Sequence, residues 1–127
     1  MKKTPTILLI DDLPFIRDCI ITILEERDVK ILEAENAASA LVIFNNTTID
    51  LVLTDMVMPG NHGIDLIVEL KKIKPEIKII AMSGAANKEN SLELAKSLGA
   101  HAILCKPFKK EELLRILDNT LGIGGNN

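Results

Sequence analysis

The sequence predicts an α/β domain built around a parallel β-sheet, and two observations lead to this prediction. Short β-rich apolar runs alternate along the chain with segments in which apolar residues recur every three or four positions. Four of the five runs are apolar throughout or nearly so, which is typical of strands buried on both faces of a parallel sheet. Strands joined by helices imply right-handed crossovers that cover both faces of the sheet. We therefore expect a doubly wound sheet of five strand–helix repeats, (βα)5.

The strands are predicted, in chain order, at 6–10, 29–34, 49–54, 77–82 and 102–105. The second run is the most polar and is expected at an edge of the sheet. Five helical stripes are predicted from the spacing of their apolar residues. They are Phe15, Ile16, Cys19, Ile20, Ile23 and Leu24; Ala37, Ala40, Leu41 and Phe44; Leu66, Ile67, Leu70 and Ile73; Leu92, Ala95 and Leu98; Leu113, Leu114, Leu117 and Leu121. Pro14 suits the first turn of the first helix, and Gly99 and Gly122 stand where the last two helices end.

Length and composition exclude several classes of function. A chain of 127 residues corresponds to one domain with a real core. Its 15 basic and 18 acidic residues give a net charge of -3, which argues against binding to nucleic acid or to an anionic membrane. The only aromatic residues are three phenylalanines, too few for a base-stacking platform. No apolar stretch approaches the roughly 18 residues of a membrane span. We expect a soluble, cytoplasmic protein.

The cysteines and histidines are predicted to be structural. Cys19 and Cys105 are too few for a disulfide framework, and both lie inside apolar runs, so we expect buried, reduced thiols. His62 and His101 have no partner at a metal-ligand spacing and are interpreted as surface residues.

Polar residues follow four of the five predicted strands. Asp11 and Asp12 come after the first strand, Asp55 ends the third, Ser83 follows the fourth and Lys106 follows the fifth. In an open α/β sheet, ligands bind outside the carboxyl ends of the strands. We therefore expect these side chains to form one site.

The residue types at this edge indicate phosphoryl chemistry. Three carboxylates held together repel one another unless a cation binds, and oxygen ligands without a Cys or His pair favour Mg²⁺ over Zn²⁺. Lys106 adds a fixed positive charge, and Ser83 adds a hydroxyl donor. A carboxylate beside a metal, a lysine and a hydroxyl can accept a phosphoryl group covalently.

Taken singly, each feature has an ordinary structural explanation. Asp11 and Asp12 could cap the first helix, Asp55 and Ser83 could be turn residues, and Lys106 could be a solvated surface charge. Their joint placement at the strand ends favours the functional interpretation.

From Thr6 to about Leu121 the chain resembles the receiver domain of bacterial two-component response regulators. The resemblance is carried by Asp11-Asp12, Asp55-Met56-Val57-Met58-Pro59-Gly60 with Gly63, Ser83-Gly84 and Lys106-Pro107-Phe108, in order and spacing. It implies a flavodoxin-like sheet of strand order 2-1-3-4-5. It also implies a receiver domain over residues 1–121, and we expect a flexible tail at 122–127, which is either a natural end or the start of a linker.

The resemblance implies a role for each site residue. Asp55 is the expected phosphoacceptor, and Asp12 and Asp55 are expected to bind Mg²⁺ through their side chains. The backbone carbonyl of Val57 is expected to be a further ligand, and Asp11 is expected to act on the ion through water.

The resemblance also implies how the phosphoryl group is held and delivered. Lys106 would pair with Asp55 and then with its phosphoryl group, and Ser83 would move to hydrogen-bond it. The bond between Lys106 and Pro107 would be cis. The phosphodonor would be a phosphohistidine on a sensor histidine kinase or phosphotransfer protein, and the output would pass to a downstream protein effector. The domain would catalyse only its own phosphorylation and dephosphorylation.

Two positions depart from the family pattern. Ile103 stands where the family usually carries an aromatic residue whose rotation couples to the serine or threonine, so the usual aromatic readout is not expected. Val57 and Ala85 stand where other members often carry polar groups, and we expect a comparatively long-lived phospho-form.

Three other functions remain alternatives at this point. An aspartyl-phosphate phosphatase needs a second acid two residues after the nucleophile, where this chain has Val57. A flavin- or nucleotide-binding module needs a phosphate loop after the first strand, where two aspartates stand. A degenerate receiver that serves only for docking does not need the acidic residues and lysine that are present here.

Overall fold

The computed structural model describes residues 4–58, 61–84, 93 and 96–122. A five-stranded parallel sheet forms its centre. Its strands are β1 (Thr6–Ile10), β2 (Lys30–Ala34), β3 (Leu51–Asp55), β6 (Lys78–Ser83) and β7 (Ala102–Cys105). They are hydrogen-bonded in the order β2-β1-β3-β6-β7. Counted along the chain within this sheet, the order is 2-1-3-4-5. The predicted topology is confirmed, and the polar strand β2 is at an edge as expected.

Two short strands were not predicted from the sequence. β4 (Val57–Met58) and β5 (Asn61–His62) pair antiparallel directly after β3 and form a second, two-stranded sheet. Strands of two residues are too short to show any hydrophobic alternation, so the pattern could not reveal them.

The described helices are α1 (Pro14–Leu24), α2 (Ala37–Asn46), α3 (Gly63–Ile73) and α4 (Lys110–Leu121). Pro14 begins α1, and α4 ends at Gly122 with a φ of 71°, both as predicted. The helix predicted from the stripe of Leu92, Ala95 and Leu98 falls largely outside the described residues, although Glu93, Lys96 and Ser97 are helical. None of the helices in the described part of the chain is long and apolar enough to cross a bilayer.

The sheet is buried on both faces, which explains why its strands read as continuous apolar runs. In β1, Leu8 and Ile10 join a core cluster with α2 and α3, whereas Ile7 and Leu9 join a second cluster with α1 and α4. Successive side chains of a strand point to opposite faces. Each central strand therefore needs apolar residues at both even and odd positions.

The buried face of α1 differs from the predicted stripe. Ile20 and Leu24 are buried and Ile16 packs beside them, but Phe15 is 74% exposed and Cys19 is exposed. Neighbouring residues of a helix are rotated by about 100°, so the row of Phe15 and Cys19 lies one step around from the buried row. The sequence contained an apolar stripe wider than the sheet can cover.

The expected burial of the thiols is correspondingly wrong. Cys19 is exposed for the reason just given, and Cys105, on the edge strand β7, is only half-buried. Both are free thiols, as predicted. His101 is exposed, in agreement with its interpretation as a surface residue, and the side chain of His62 lies outside what the structure describes.

Candidate functional site

The carboxyl edge of the sheet brings together residues that are distant in sequence. Asp11 follows the last residue of β1, Asp55 is the last residue of β3 and Ser83 is the last residue of β6. Lys106 follows β7, and its backbone N–H donates to the carbonyl of Ser83 at 2.7 Å. The pairing of β6 with β7 therefore continues to the site and fixes where the lysine side chain starts.

Asp11, Asp12 and Asp55 form an acidic cluster. Each offers one carboxylate oxygen, and these oxygens lie within 4.8 Å of one another. Asp11 and Asp55 are buried, and Asp12 is half-buried. Two unit charges at such a separation repel by about 3–4 kcal/mol at an effective dielectric of 20, so the cluster favours a bound cation. Its all-oxygen donor set fits a hard ion such as Mg²⁺.

Lys106 bridges two of these carboxylates. Its Nζ donates to Asp55 Oδ2 at 2.9 Å and to Asp11 Oδ2 at 3.2 Å, and its side chain is only 22% exposed. Burial by itself lowers the pKa of the Lys106 ammonium, but the hydrogen bond and charge of Asp55, together with those of Asp11, outweigh it and raise the pKa above its ordinary value. The site therefore holds a permanent positive charge at neutral pH.

Asp11 already has partners for both of its carboxylate oxygens. Oδ1 accepts from the backbone N–H of Leu13 at 3.0 Å, and Oδ2 accepts from Lys106. The N-cap position of α1 is Leu13, and no side chain caps the helix there. The alternative that Asp11 and Asp12 are N-cap residues of α1 is therefore wrong.

The remaining predicted residues have different surroundings. Ser83 is buried, and its hydroxyl donates to the carbonyl of Gly84 at 3.2 Å. The peptide bond between Lys106 and Pro107 is cis, in agreement with the expectation. Ile103 is half-buried against the core cluster on the α2 and α3 face. Val57 lies in β4, beside the site in sequence, and its side chain is outside what the structure describes.

The sequence did not reveal two further features of the site. Arg17 of α1 donates to the backbone carbonyl of Asp11 at 2.6 Å, next to the acidic cluster. An apolar pocket of about 470 Å³ lies between α1 and the segment after β7. It is lined by Ile16, Cys19, Ile20, Ile23, Gly84, Lys106, Pro107 and Phe108. The only signal for Arg17 was a charged residue placed between apolar positions of a helix, which is common on helix surfaces.

Comparisons with known proteins find similar sequences and structures over most of the chain. A family model described as the response regulator receiver domain matches residues 7–118. The chemotaxis protein CheY of Halobacterium salinarum is 33% identical over 115 residues, which cover 91% of this chain and 95% of that protein. The crystal structure of a response regulator receiver domain protein from Clostridium thermocellum is 33% identical, with a TM-score of 0.86, over 93% of this chain and 94% of the other.

Some relatives are much longer than this chain. The DNA-binding transcriptional regulator NtrC of Azospirillum brasilense is 35% identical over 116 residues, which cover 91% of this chain but only 24% of that protein. The similarity therefore concerns one domain of the longer protein.

Proposed function

The chain belongs to the response regulator receiver domain family, the phosphoacceptor domains of two-component signalling, and on that premise we propose that Asp55 is its phosphoacceptor. The observation that carries this proposal is the placement of Asp55. It ends the central strand β3, receives a hydrogen bond from Lys106 Nζ at 2.9 Å, and shares a cluster with Asp11 and Asp12. Among the three carboxylates, Asp55 is the one that combines a cationic partner with a position at the centre of the sheet edge.

Mg²⁺ is the proposed cofactor, held directly by Asp12 and Asp55 and by the backbone carbonyl of Val57. Asp11 would act on it through water, because both of its oxygens are engaged by Leu13 and Lys106. When bound, the ion would neutralise charge on Asp55 and on the phosphoryl oxygens. The oxygen-only donor set supports this choice of metal.

The transfer itself requires positioning more than acid–base chemistry. An oxygen of Asp55 forms the new bond to phosphorus while the bond from phosphorus to the donor's imidazole nitrogen breaks. Lys106, already 2.9 Å from Asp55, supplies a positive charge to the incoming dianion. Ser83 would turn its hydroxyl from the carbonyl of Gly84 to a phosphoryl oxygen.

Switching would follow from these movements at the ends of β6 and β7. A phosphoryl group that draws Ser83 and Lys106 toward it biases the segments that follow both strands, which is a local electrostatic event with a wider readout. Because Ile103 carries no ring, this readout would depend on backbone and aliphatic repacking instead of an aromatic flip. The receiver unit would comprise residues 1–121; of the remaining tail, 123–127 lie outside the described residues.

The proposed partners are proteins. A phosphohistidine on a sensor kinase or phosphotransfer protein would be the donor, and a downstream effector would bind the switched face. The net charge of -3 supports partners other than nucleic acid or an anionic membrane surface. The free thiols of Cys19 and Cys105 suit a reducing cytoplasm. The domain's own catalysis would be limited to its phosphorylation and dephosphorylation.

A long-lived phospho-form is predicted from Val57 and Ala85. Ala85, like the side chain of Val57, lies outside what the structure describes, so this prediction rests on residue type. Apolar groups there cannot orient a water toward phosphorus. We expect Val57→Asn to shorten the lifetime of the phosphorylated protein after removal of the donor, measured by intact mass over time. An unchanged lifetime in this variant would refute the explanation.

The proposed function is tested by phosphorylation with a small donor. Acetyl phosphate with Mg²⁺ is expected to add the mass of one phosphoryl group to the intact protein, and chelation of the metal with EDTA is expected to prevent it. Mass spectrometry of the intact chain measures both. Addition that is independent of the metal, or no addition at any Mg²⁺ concentration, would contradict the proposal.

A further inference from the structure

We propose that Arg17 is a positioning residue that sets the affinity of the acidic cluster for a divalent cation; this inference rests on the proposed function. Its guanidinium connects three elements. Nη1 donates to the backbone carbonyl of Asp11 at 2.6 Å, and Nε donates to Glu33 Oε1 at 2.9 Å. Arg17 lies on α1, Asp11 on the segment between β1 and α1, and Glu33 on β2.

The contact with Asp11 is made to its backbone, not to its carboxylate. Asp11 is fully buried while Arg17 is in place, and Arg17 Nη1 is the donor that satisfies its carbonyl there. A lost hydrogen bond there would let the peptide between Asp11 and Asp12 turn. Asp11 and Asp12 are consecutive, so such a turn would move two of the three clustered carboxylates at once.

Glu33 provides the second anchor of the Arg17 side chain. The Arg17 side chain is only 14% exposed, and its ion pair with Glu33 anchors it to the edge strand β2. Glu33 is in register with Leu9 of β1, two residues before Asp11. The guanidinium therefore links the segment that carries Asp11 to strand β2 of the sheet. Its charge is balanced by Glu33, so its effect on the cluster is geometric more than electrostatic.

An arginine suits this role better than a lysine because its planar fork presents several N–H groups in a fixed geometry. A lysine offers a single ammonium on a flexible stem and cannot hold the same two acceptors in the same orientation. Groups that orient metal ligands without touching the metal commonly change metal affinity by about 10–100-fold when removed. Arg17 would act at the lower end of this range.

The test is a Mg²⁺ titration of the full chain without any phosphodonor. The chain contains no Trp or Tyr, so binding is followed by amide chemical shifts or by calorimetry. We expect Arg17→Gln to weaken Mg²⁺ binding about tenfold, Arg17→Lys to recover part of the affinity, and Glu33→Gln to have a smaller effect in the same direction. With acetyl phosphate, Arg17→Gln should raise the Mg²⁺ concentration for half-maximal rate and leave the rate at saturating Mg²⁺ nearly unchanged.

Arg27→Gln is the matched control. Arg27 lies just after α1 and makes a two-pronged ion pair, in which Nε and Nη2 are each 2.8 Å from a carboxylate oxygen of Asp118 of α4. Its third nitrogen donates to the carbonyl of Glu26, and none of these contacts reaches the acidic segment. It should lower thermal stability and leave Mg²⁺ affinity at the wild-type value.

Two results would overturn the role of Arg17: wild-type Mg²⁺ affinity in Arg17→Gln, or an equal loss in Arg27→Gln. Both presuppose that the wild-type protein binds Mg²⁺ and becomes phosphorylated. A wild-type protein that does neither would instead contradict the proposed function.

Discussion

Asp55→Asn is expected to abolish phosphorylation by acetyl phosphate, whereas the protein stays folded. An amide oxygen is a poor nucleophile toward phosphorus, and neither neighbouring carboxylate can replace it. The Asp11 side chain is fully buried whereas that of Asp55 is 10% exposed, and the second oxygen of Asp11 is held by the Leu13 N–H. Asp12 has no hydrogen bond from Lys106, whose described side-chain contacts go to Asp11 and Asp55. The measurement is the intact mass of the variant after incubation with donor and Mg²⁺.

Folding of this variant should be nearly unchanged. The substitution conserves shape and removes one of the repelling charges, and Lys106 keeps its contact with Asp11 at 3.2 Å. We expect a change in the free energy of unfolding of less than about 1 kcal/mol. Asp18→Asn, at an exposed position of α1, is the control and should be phosphorylated like the wild type. Full phosphorylation of Asp55→Asn would contradict the assignment of the acceptor.

Lys106→Met is expected to lower both stability and reactivity. Removal of the ammonium leaves Asp11 and Asp55 buried without their cation, and breaking such a pair costs about 2–3 kcal/mol for a partly buried lysine. The rate of phosphorylation should fall about 100-fold, the loss typical for one donor that stabilises developing charge. Denaturant unfolding and initial phosphorylation rates measure the two effects.

The dependence on Mg²⁺ and on pH shows whether Lys106→Met loses stability through its missing charge or through a packing defect. Added Mg²⁺ should stabilise the Lys106→Met protein, because the ion restores positive charge to the cluster. The pKa of Lys106 is raised in the folded state, so its contribution is complete below the unfolded pKa of about 10.4. The stability difference between wild type and variant should therefore shrink only as the pH rises above that value. Lys109→Met, at an exposed position next to α4, is the control and should behave like the wild type. A Lys106→Met protein as stable and reactive as the wild type would refute the account of the lysine.

The sheet could be predicted because burial on both faces leaves a strong trace in sequence. β1 and β7 were predicted with the bounds that the structure has, and the bounds of β3 and β6 differ from the prediction by one or two residues. The pattern could not identify the hairpin of β4 and β5, and it could not orient α1. Phe15 and Cys19 are apolar yet face solvent, because the width of an apolar stripe does not state which part of it the sheet covers.

The clustering of the site could be predicted for a topological reason. Parallel strands end at one edge, so polar residues at the ends of neighbouring strands meet there. Asp11, Asp12, Asp55 and Lys106 do meet. The hydrogen bond from Arg17 to the Asp11 carbonyl could not be predicted, because it depends on how a side chain of α1 packs across a loop and an edge strand.

The chemical location of the phosphoryl group tests the central claim most directly. Reduction of the phosphorylated protein with borohydride converts an aspartyl phosphate to homoserine, and peptide mass spectrometry then identifies the modified position. The account predicts homoserine at position 55 and unmodified aspartate at positions 11 and 12. Homoserine at either of those two positions, or a stable phosphoryl group on a serine, threonine or histidine, would contradict it.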